Sequence, residues 1–285
     1  MEGMRGDTLL VNGVVGPTAR VPRGLVRLRL LNAANARNFD VAFADGRPFM
    51  AIAGDAGLLP APVELTNLVV APGERYEILA DFANGAVVDL ITGPDRAGGM
   101  GMPAMGGGSA AGGLVRFEPD AQLPAAIRKP PSSLAPNAAP DRGSAATARR
   151  FVLDPTMGPG MMFGAPSRSN TSSELPQRLS INGRGFAMDR IDAAVKLGTS
   201  ELWEVTATDM AHPFHVHGVS FRVLSNGGAA PPPQQSGWKD VVLVQQRAEL
   251  LIPFTQPAGP DAPFMFHCHI LEHEDQGMMG QFAVA

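Results

Sequence analysis

Hydrophobic and polar positions alternate with a period of two through much of this chain. In residues 25–32, Val26, Leu28 and Leu30 alternate with Arg27, Arg29 and Leu31, the pattern of a half-buried strand. Residues 63–70, 75–82 and 86–92 behave alike, with Pro72-Gly73, Asn84-Gly85 and Gly93-Pro94 as turns between or beside them. Strand patterns resume at 201–208, 219–225, 240–246 and 249–254. The N-terminal part holds no long amphipathic helical stretch. Many short strands with regular turns predict an all-β fold, a sandwich or a barrel.

Two stretches break the pattern. Residues 95–113 form a Gly/Met/Ala tract, and residues 118–150 are rich in Pro, Ala and Ser with little periodicity. The second composition marks an interdomain linker. The expected organisation is a first domain over 1–117, a linker over 118–150 and a second domain over 151–285. A length of 285 residues suits two domains, at roughly 100–200 residues each.

Composition narrows the function classes. Hydrophobic residues make up 45% of the chain and charged residues 18%, which suits a globular protein with a core and not a disordered one. The net charge of −4 offers no basic footprint for nucleic acid. No apolar run approaches the ~18–20 residues of a membrane-spanning helix. The 33 Gly and 26 Pro argue against a helix bundle. The opening residues Met1 to Asp7 do not read as a signal peptide, so an export signal is expected upstream of this chain. Phosphate-binding glycine loops after a strand and serine nucleophile elbows are lacking, which removes the nicotinamide, flavin and α/β-hydrolase readings.

The histidines carry the chemistry. All six lie between residues 212 and 273, and the first 211 residues contain none. One motif runs His212-Pro213-Phe214-His215-Val216-His217-Gly218. The other runs His267-Cys268-His269, then Ile270-Leu271-Glu272-His273-Glu274-Asp275-Gln276-Gly277-Met278-Met279. Cys268 is the single cysteine, so an internal disulfide is excluded. Any one histidine is most simply a hydrogen-bonded core or surface residue. Six of them clustered around the only thiol point to metal, since imidazole and thiolate both suit copper.

Strand parity sorts the ligands. Alternate side chains of a strand face opposite ways. His267 and His269 therefore share one face, Cys268 takes the other, and His215 pairs with His217. If the extended pattern runs back through Pro213, His212 joins the Cys268 side. Two sites result, one with His212 and Cys268, the other with His215, His217, His267 and His269. His273, beyond the second strand, would complete a His₂Cys set. Met278 would then be the weak axial sulfur, an arrangement typical of blue-copper electron transfer. Met279 competes for that axial place, and parity across a turn does not separate the two. Zinc also takes Cys and His ligands, but it does not explain two neighbouring sites joined by one His-Cys-His tripeptide.

At these residues the chain resembles a three-domain multicopper oxidase. The His273-Glu274-Asp275 ending with Gly277-Met278-Met279 is similar to the bacterial cuprous oxidase, or copper-efflux, branch with its laccase-like members. Segments 6–13, 28–37, 54–60 and 73–82 resemble that branch's second cupredoxin domain. The resemblance implies two cupredoxin-like Greek-key domains and copper as cofactor. It assigns His212, Cys268 and His273 to a type 1 copper with Met278 axial, His215 to a type 2 copper, and His217, His267 and His269 to a type 3 pair. It also implies one-electron oxidation of Cu(I) or phenolic donors, O₂ reduction to water, and a periplasmic location. In the family a glutamate at the place of Glu274 helps deliver protons to the oxygen site.

The departure from the family weighs as much as the match. The family's oxygen site uses eight histidines, four of them from a first domain. This chain starts at the second domain and has no histidine there, so it is expected to be the C-terminal part of an oxidase, inactive by itself. A first domain supplied in trans is the lesser expectation. Two rivals stand. One is a blue-copper electron-transfer or copper-binding module that does not reduce O₂. The other is an interaction protein without copper, as in a cell-division branch of the superfamily. Secondary candidates are Met100, Met102, Met105, Met157, Met161 and Met162 for Cu(I) capture. Asp209 and Met210 are candidates for placing a Cu(I) donor. Asp240 is read either as a partner of a ligand imidazole or as a turn cap.

Overall fold

The computed structural model describes residues 3–95, 112–136, 142–155 and 179–285. They fall into two compact units. Unit 1 comprises Met1–Ala139 with Ala230–Val242, and unit 2 comprises Pro140–Ala229 with Leu243–Ala285.

Unit 1 holds β1 (Leu10–Val11), β2 (Val14–Val15), β3 (Thr18–Pro22), β4 (Leu25–Leu31), β5 (Phe39–Phe43), β6 (Phe49–Gly54), β7 (Gly57–Leu65), β8 (Asn67–Val70), β9 (Arg75–Asp81), β10 (Val88–Thr92) and β11 (Gly112–Asp120). Its two main sheets run β3-β11-β10-β5-β8 and β4-β9-β6-β7. The alternation read in residues 25–32 holds. Arg27, Arg29 and Leu31 are exposed, while Val26, Leu28 and Leu30 pack on a core containing Phe43, Phe49, Phe82 and Phe117. These four rings interlock at centroid separations of 5.2–6.2 Å, two of the pairs edge to face, a favoured aromatic geometry. The apolar run 63–70 is not one strand. It breaks between β7 and β8, which lie in different sheets. A single run of alternation cannot show such a crossing, because both halves keep the same period.

Unit 2 holds β12 (Ala145–Pro155), β13 (Leu179–Ile181), β14 (Ala193–Val195), β15 (Ser200–Ala207), β16 (His212–Val216), β17 (Arg222–Asn226), β18 (Val241–Val244), β19 (Arg247–Pro253), β20 (Phe264–Cys268), a one-turn helix α1 (Leu271–Asp275) and β21 (Met279–Val284). Residues Leu243 and Val244 of β18 belong to this unit. The sheet orders are β13-β12-β15-β19-β17 and β14-β21-β20-β16-β18. Strand β15 alternates buried and half-buried residues without a break. Its Trp203 is fully buried between the sheets, within 4.6–5.8 Å of the rings of Phe151, Phe254, Phe266 and Phe282. The indole N–H donates to Glu201 at 2.9 Å, so the buried donor is satisfied.

Both units bear out the all-β, cupredoxin-like expectation. The stretch 118–150 is only partly unpaired chain. Residues 118–120 end β11, and residues 145–150 open β12, which runs parallel to β15. Hydrogen bonding to a neighbouring strand orders a segment whose own composition is that of a linker. Among the described residues no helix is long and apolar enough to cross a membrane.

Candidate metal centre

Two neighbouring antiparallel strands build the centre. In the β16–β20 pair, Phe214 lies opposite Cys268 and His215 lies opposite His267. Directly opposed residues project from the same face of a sheet. Phe214 and Cys268 are both fully buried, so their face is the core side. His215 and His267 take the other side. His212, two residues before Phe214, returns to the core side, as parity requires.

On that core side three donors converge. His212 Nδ1 lies 3.4 Å from Cys268 Sγ, His273 Nδ1 lies 3.5 Å from it, and the two nitrogens are 3.2 Å apart. All three residues are at most 1% exposed. The common centre of this triangle is about 1.9 Å from each donor, near the ~2.0 Å of a metal–imidazole bond. His212 Nε2–H donates to Asp209 Oδ1 at 3.0 Å, which fixes the ring and leaves the Nδ1 lone pair facing the centre. Burial pushes the Cys268 thiol far above the ordinary range, with Glu274 and Asp209 adding to the shift and the backbone N–H of Ile270 opposing it. A buried sulfur of this kind becomes a thiolate readily only beside a metal cation. The donor set therefore fits a soft or borderline metal such as copper.

The loop after β20 delivers the third donor. Helix α1 begins as His273 and Glu274 N–H both donate to Ile270 O. Gly277, at φ +97°, then turns the chain back, a conformation that favours glycine. Met278 N–H donates to His273 O, and Cys268 N–H to Met278 O. Met278 is fully buried. In the β20–β21 pair His267 lies opposite Met279. Met279 thus shares the His267 face, and alternation assigns Met278 to the face of Cys268.

On the other side, His215, His217 and His267 bring ligand nitrogens within 4.8 Å of one another. His217 Nε2 and His267 Nε2 are 3.0 Å apart. His269 stands beside them, its ring 5.8 Å from that of His215 and 5.7 Å from that of His267. His267 Nδ1–H donates to Cys268 O at 3.0 Å, so its Nε2 faces the cluster. Burial, outweighing that hydrogen bond, and the three neighbouring imidazoles push His267 down to about 3. It is neutral at ordinary pH, the state a ligand requires. Glu274 Oε2 lies 3.3 Å from His267 Nδ1. Burial raises its carboxyl, with Asp275 adding to the shift and His269 opposing it.

The structure thus brings His212, Cys268 and His273 together, with Met278 on their side. It gathers His215, His217, His267 and His269 on the reverse side, with Glu274 beside them. Asp240 makes a bidentate pair with Arg75, at 2.6 and 2.7 Å. Met100, Met102, Met105, Met157, Met161 and Met162 lie outside the described residues. Sequence reasoning missed the backbone N–H of Ile270 aimed at Cys268 Sγ, 3.5 Å away. It also missed the Cys268 carbonyl that orients His267. Backbone contacts of this kind leave no mark in residue type. Asp209 did leave one, since its i,i+3 spacing to His212 was visible.

Residues 160–285 match the multicopper oxidase family. Over 287 residues the chain is 40% identical to the cell division protein FtsP of Salmonella typhimurium. It is 39% identical to the cell division protein FtsP of Escherichia coli strain K12. Each alignment covers 99% of this chain, which spans 56% of the length of these relatives. Among solved structures, the laccase-like multi-copper oxidase CueO from the lignin-degrading bacterium Ochrobactrum sp. is 43% identical, with a TM-score of 0.85. That match covers 100% of this chain and 61% of the other. A laccase from Pediococcus acidilactici is 30% identical with a TM-score of 0.76, over 100% of this chain and 55% of its own.

Proposed function

We propose, from the match of residues 160–285 to the multicopper oxidase family, that this chain oxidises a one-electron donor and serves O₂ reduction to water. The donor is Cu(I) or a phenol, and the place of action is the periplasm. His212, Cys268 and His273 would hold a type 1 copper, with Met278 as a further, weaker sulfur ligand. His215 would bind type 2 copper, and His217, His267 and His269 would bind a type 3 pair. Copper supplies the one-electron redox change at the first set and multi-electron chemistry at the second.

One observation carries this reading. The two donor sets occupy opposite faces of a single strand pair, and Cys268 sits between His267 and His269 in the chain. A sulfur ligand on one side is thereby linked to two imidazoles on the other through a few backbone bonds. The chain's own residues do the rest. Asp209 orients His212, the core excludes water from Cys268, and Glu274 places a carboxyl oxygen 3.3 Å from His267 Nδ1. The chain supplies four imidazoles to the second set, and the family resemblance implies four more. A first domain supplied by a separate chain finds no support in the comparisons.

A second reading is favoured by a specific observation. The chain is 40% identical, over 99% of its length, to cell division proteins, which points to an interaction role. Copper loading of the purified chain separates the readings. The oxidase reading expects an intense visible absorption that Cys268→Ser removes, with O₂ uptake on Cu(I) or a phenol. Colour without uptake makes the chain an electron-transfer module or half of an oxygen site. A chain that stays colourless and binds no copper supports the interaction role.

A further inference from the structure

Four Asn-Gly pairs occur in the chain, at Asn12, Asn84, Asn182 and Asn226. Such a pair can cyclise. The glycine nitrogen attacks the asparagine Cγ, the side-chain nitrogen leaves as ammonia, and water opens the resulting succinimide to aspartate or isoaspartate. The reaction consumes only water and needs no catalyst. It does need a reachable side-chain amide, a glycine N–H not held elsewhere, and a backbone able to leave its folded conformation.

Three of the pairs are held. Asn84 Oδ1 accepts from Ala86 N–H at 3.0 Å, and Gly85 N–H donates to Phe82 O at 3.0 Å. Asn182 accepts from Val152 N–H at 2.8 Å and donates to Arg150 O at 3.0 Å, so both ends of its amide lock onto β12. Asn226 donates to Leu243 O at 2.8 Å, and Gly227 N–H donates to Arg247 O at 2.9 Å. Asn12 differs in each respect. Both Asn12 and Gly13 are exposed. The Asn12 side chain and the Gly13 N–H make no hydrogen bond to a described residue.

The setting of Asn12 completes the argument. Asn12 and Gly13, at φ +51° and +79°, form the two-residue turn of the β1–β2 hairpin, which pairs Leu10 with Val15 and Val11 with Val14. This ribbon forms its own two-stranded sheet. An isolated two-stranded hairpin is marginally stable in water, so it opens at little cost. Leu10, Val14 and Val15 are all more than half exposed, which leaves Val11, packed against the core, as the ribbon's one apolar anchor.

We propose that Asn12 is a site of spontaneous deamidation, reached by opening of the β1–β2 ribbon, and that the other three pairs are protected by their folded contacts. Isoaspartate adds a main-chain carbon at a turn that has room for two residues only. The Leu10–Val15 register is lost, and a carboxylate appears where Asn12 and Gly13 are among the residues lining an 830 Å³ cavity.

The test is ageing of the whole purified chain at mildly alkaline pH in heavy-oxygen water, followed by peptide mapping and isoaspartate detection. Label at residue 12 should accumulate about tenfold or more faster than at 84, 182 or 226, the spread expected from differences in local opening. A Leu10→Cys, Val15→Cys pair then locks the ribbon. The oxidised form should slow the reaction at residue 12 alone, and reduction should restore it. Faster labelling at any other pair overturns the proposal, as does a rate at residue 12 that ignores the lock.

Discussion

Asp209 and Cys268 are the residues on which the candidate centre turns. Asp209 is 40% exposed, yet it holds the ring of a fully buried histidine. Loss of a carboxylate that orients a ligand imidazole typically costs about 10–100-fold in metal affinity. Asp209→Ala should weaken copper binding by that order in a competition titration, and Asp209→Asn should weaken it less, because the amide oxygen still accepts from Nε2. Cys268→Ser should abolish the visible absorption while leaving the fold intact. Its hydroxyl is smaller and still accepts from Ile270 N–H, so a stability loss of about 1–2 kcal/mol is the expected ceiling. Thermal unfolding with and without copper checks both effects, since the wild type should gain most from the metal.

At the scale of elements, the strand pair β20–β21 supports the site by close approach. A Cβ at Gly280 would lie 2.5 Å from the Phe266 ring and 2.8 Å from Asp192 Oδ2. Phe266 immediately precedes His267, and Asp192 accepts from Gln281 N–H at 3.0 Å. Gly280→Ala therefore pushes the ring against Trp203 and Phe151 in a packed core. Overpacking of this kind costs about 1–3 kcal/mol, read as a lower midpoint in urea with an unchanged slope. The same substitution should blur the second histidine set, because His267 rides on the displaced strand. A copper titration of the folded variant should then show the Cys268 absorption with weakened binding at the other set.

At the scale of the whole molecule, a buried charge cluster stands out in unit 1. Lys239 Nζ is 2.8 Å from Asp55 and 3.0 Å from Glu74, and it sits 5.0 Å from the centre of the Tyr76 ring. All four side chains are at most 2% exposed. This cluster fastens residues 230–242 to the N-terminal unit, together with the Arg75–Asp240 pair. Lys239→Met leaves two buried carboxylates facing each other, and should cost about 3–5 kcal/mol in chemical denaturation. Adding Asp55→Asn and Glu74→Gln to that variant should recover part of the loss, because an uncharged cluster no longer needs compensation. Burial alone would lower Lys239, but Glu74, Tyr76 and Asp55 raise it well above the ordinary lysine value. Its stabilising effect is present below that ordinary value and fades as pH rises through the folded one. The wild-type melting temperature should thus fall in strong alkali through a component that Lys239→Met lacks.

Sequence alone determined the period-two strands, the all-β class and the partition of ligands into two faces. These follow from covalent geometry, since side-chain alternation along a strand needs no partner. His212, His215, His267, Cys268 and His269 could therefore be sorted before any contact was known. Tertiary structure decided what depends on register and on distant partners. It split residues 63–70 between two sheets and set His267 opposite Met279, which leaves Met278 to the cysteine face. It paired Asp240 with Arg75, 165 residues away in the chain, a contact that neither reading of Asp240 from sequence included. It drew residues 230–242 into the N-terminal unit around a lysine that the sequence left unmarked. Alternation is blind to these outcomes because each is chosen by pairing, burial and charge compensation between segments far apart in sequence.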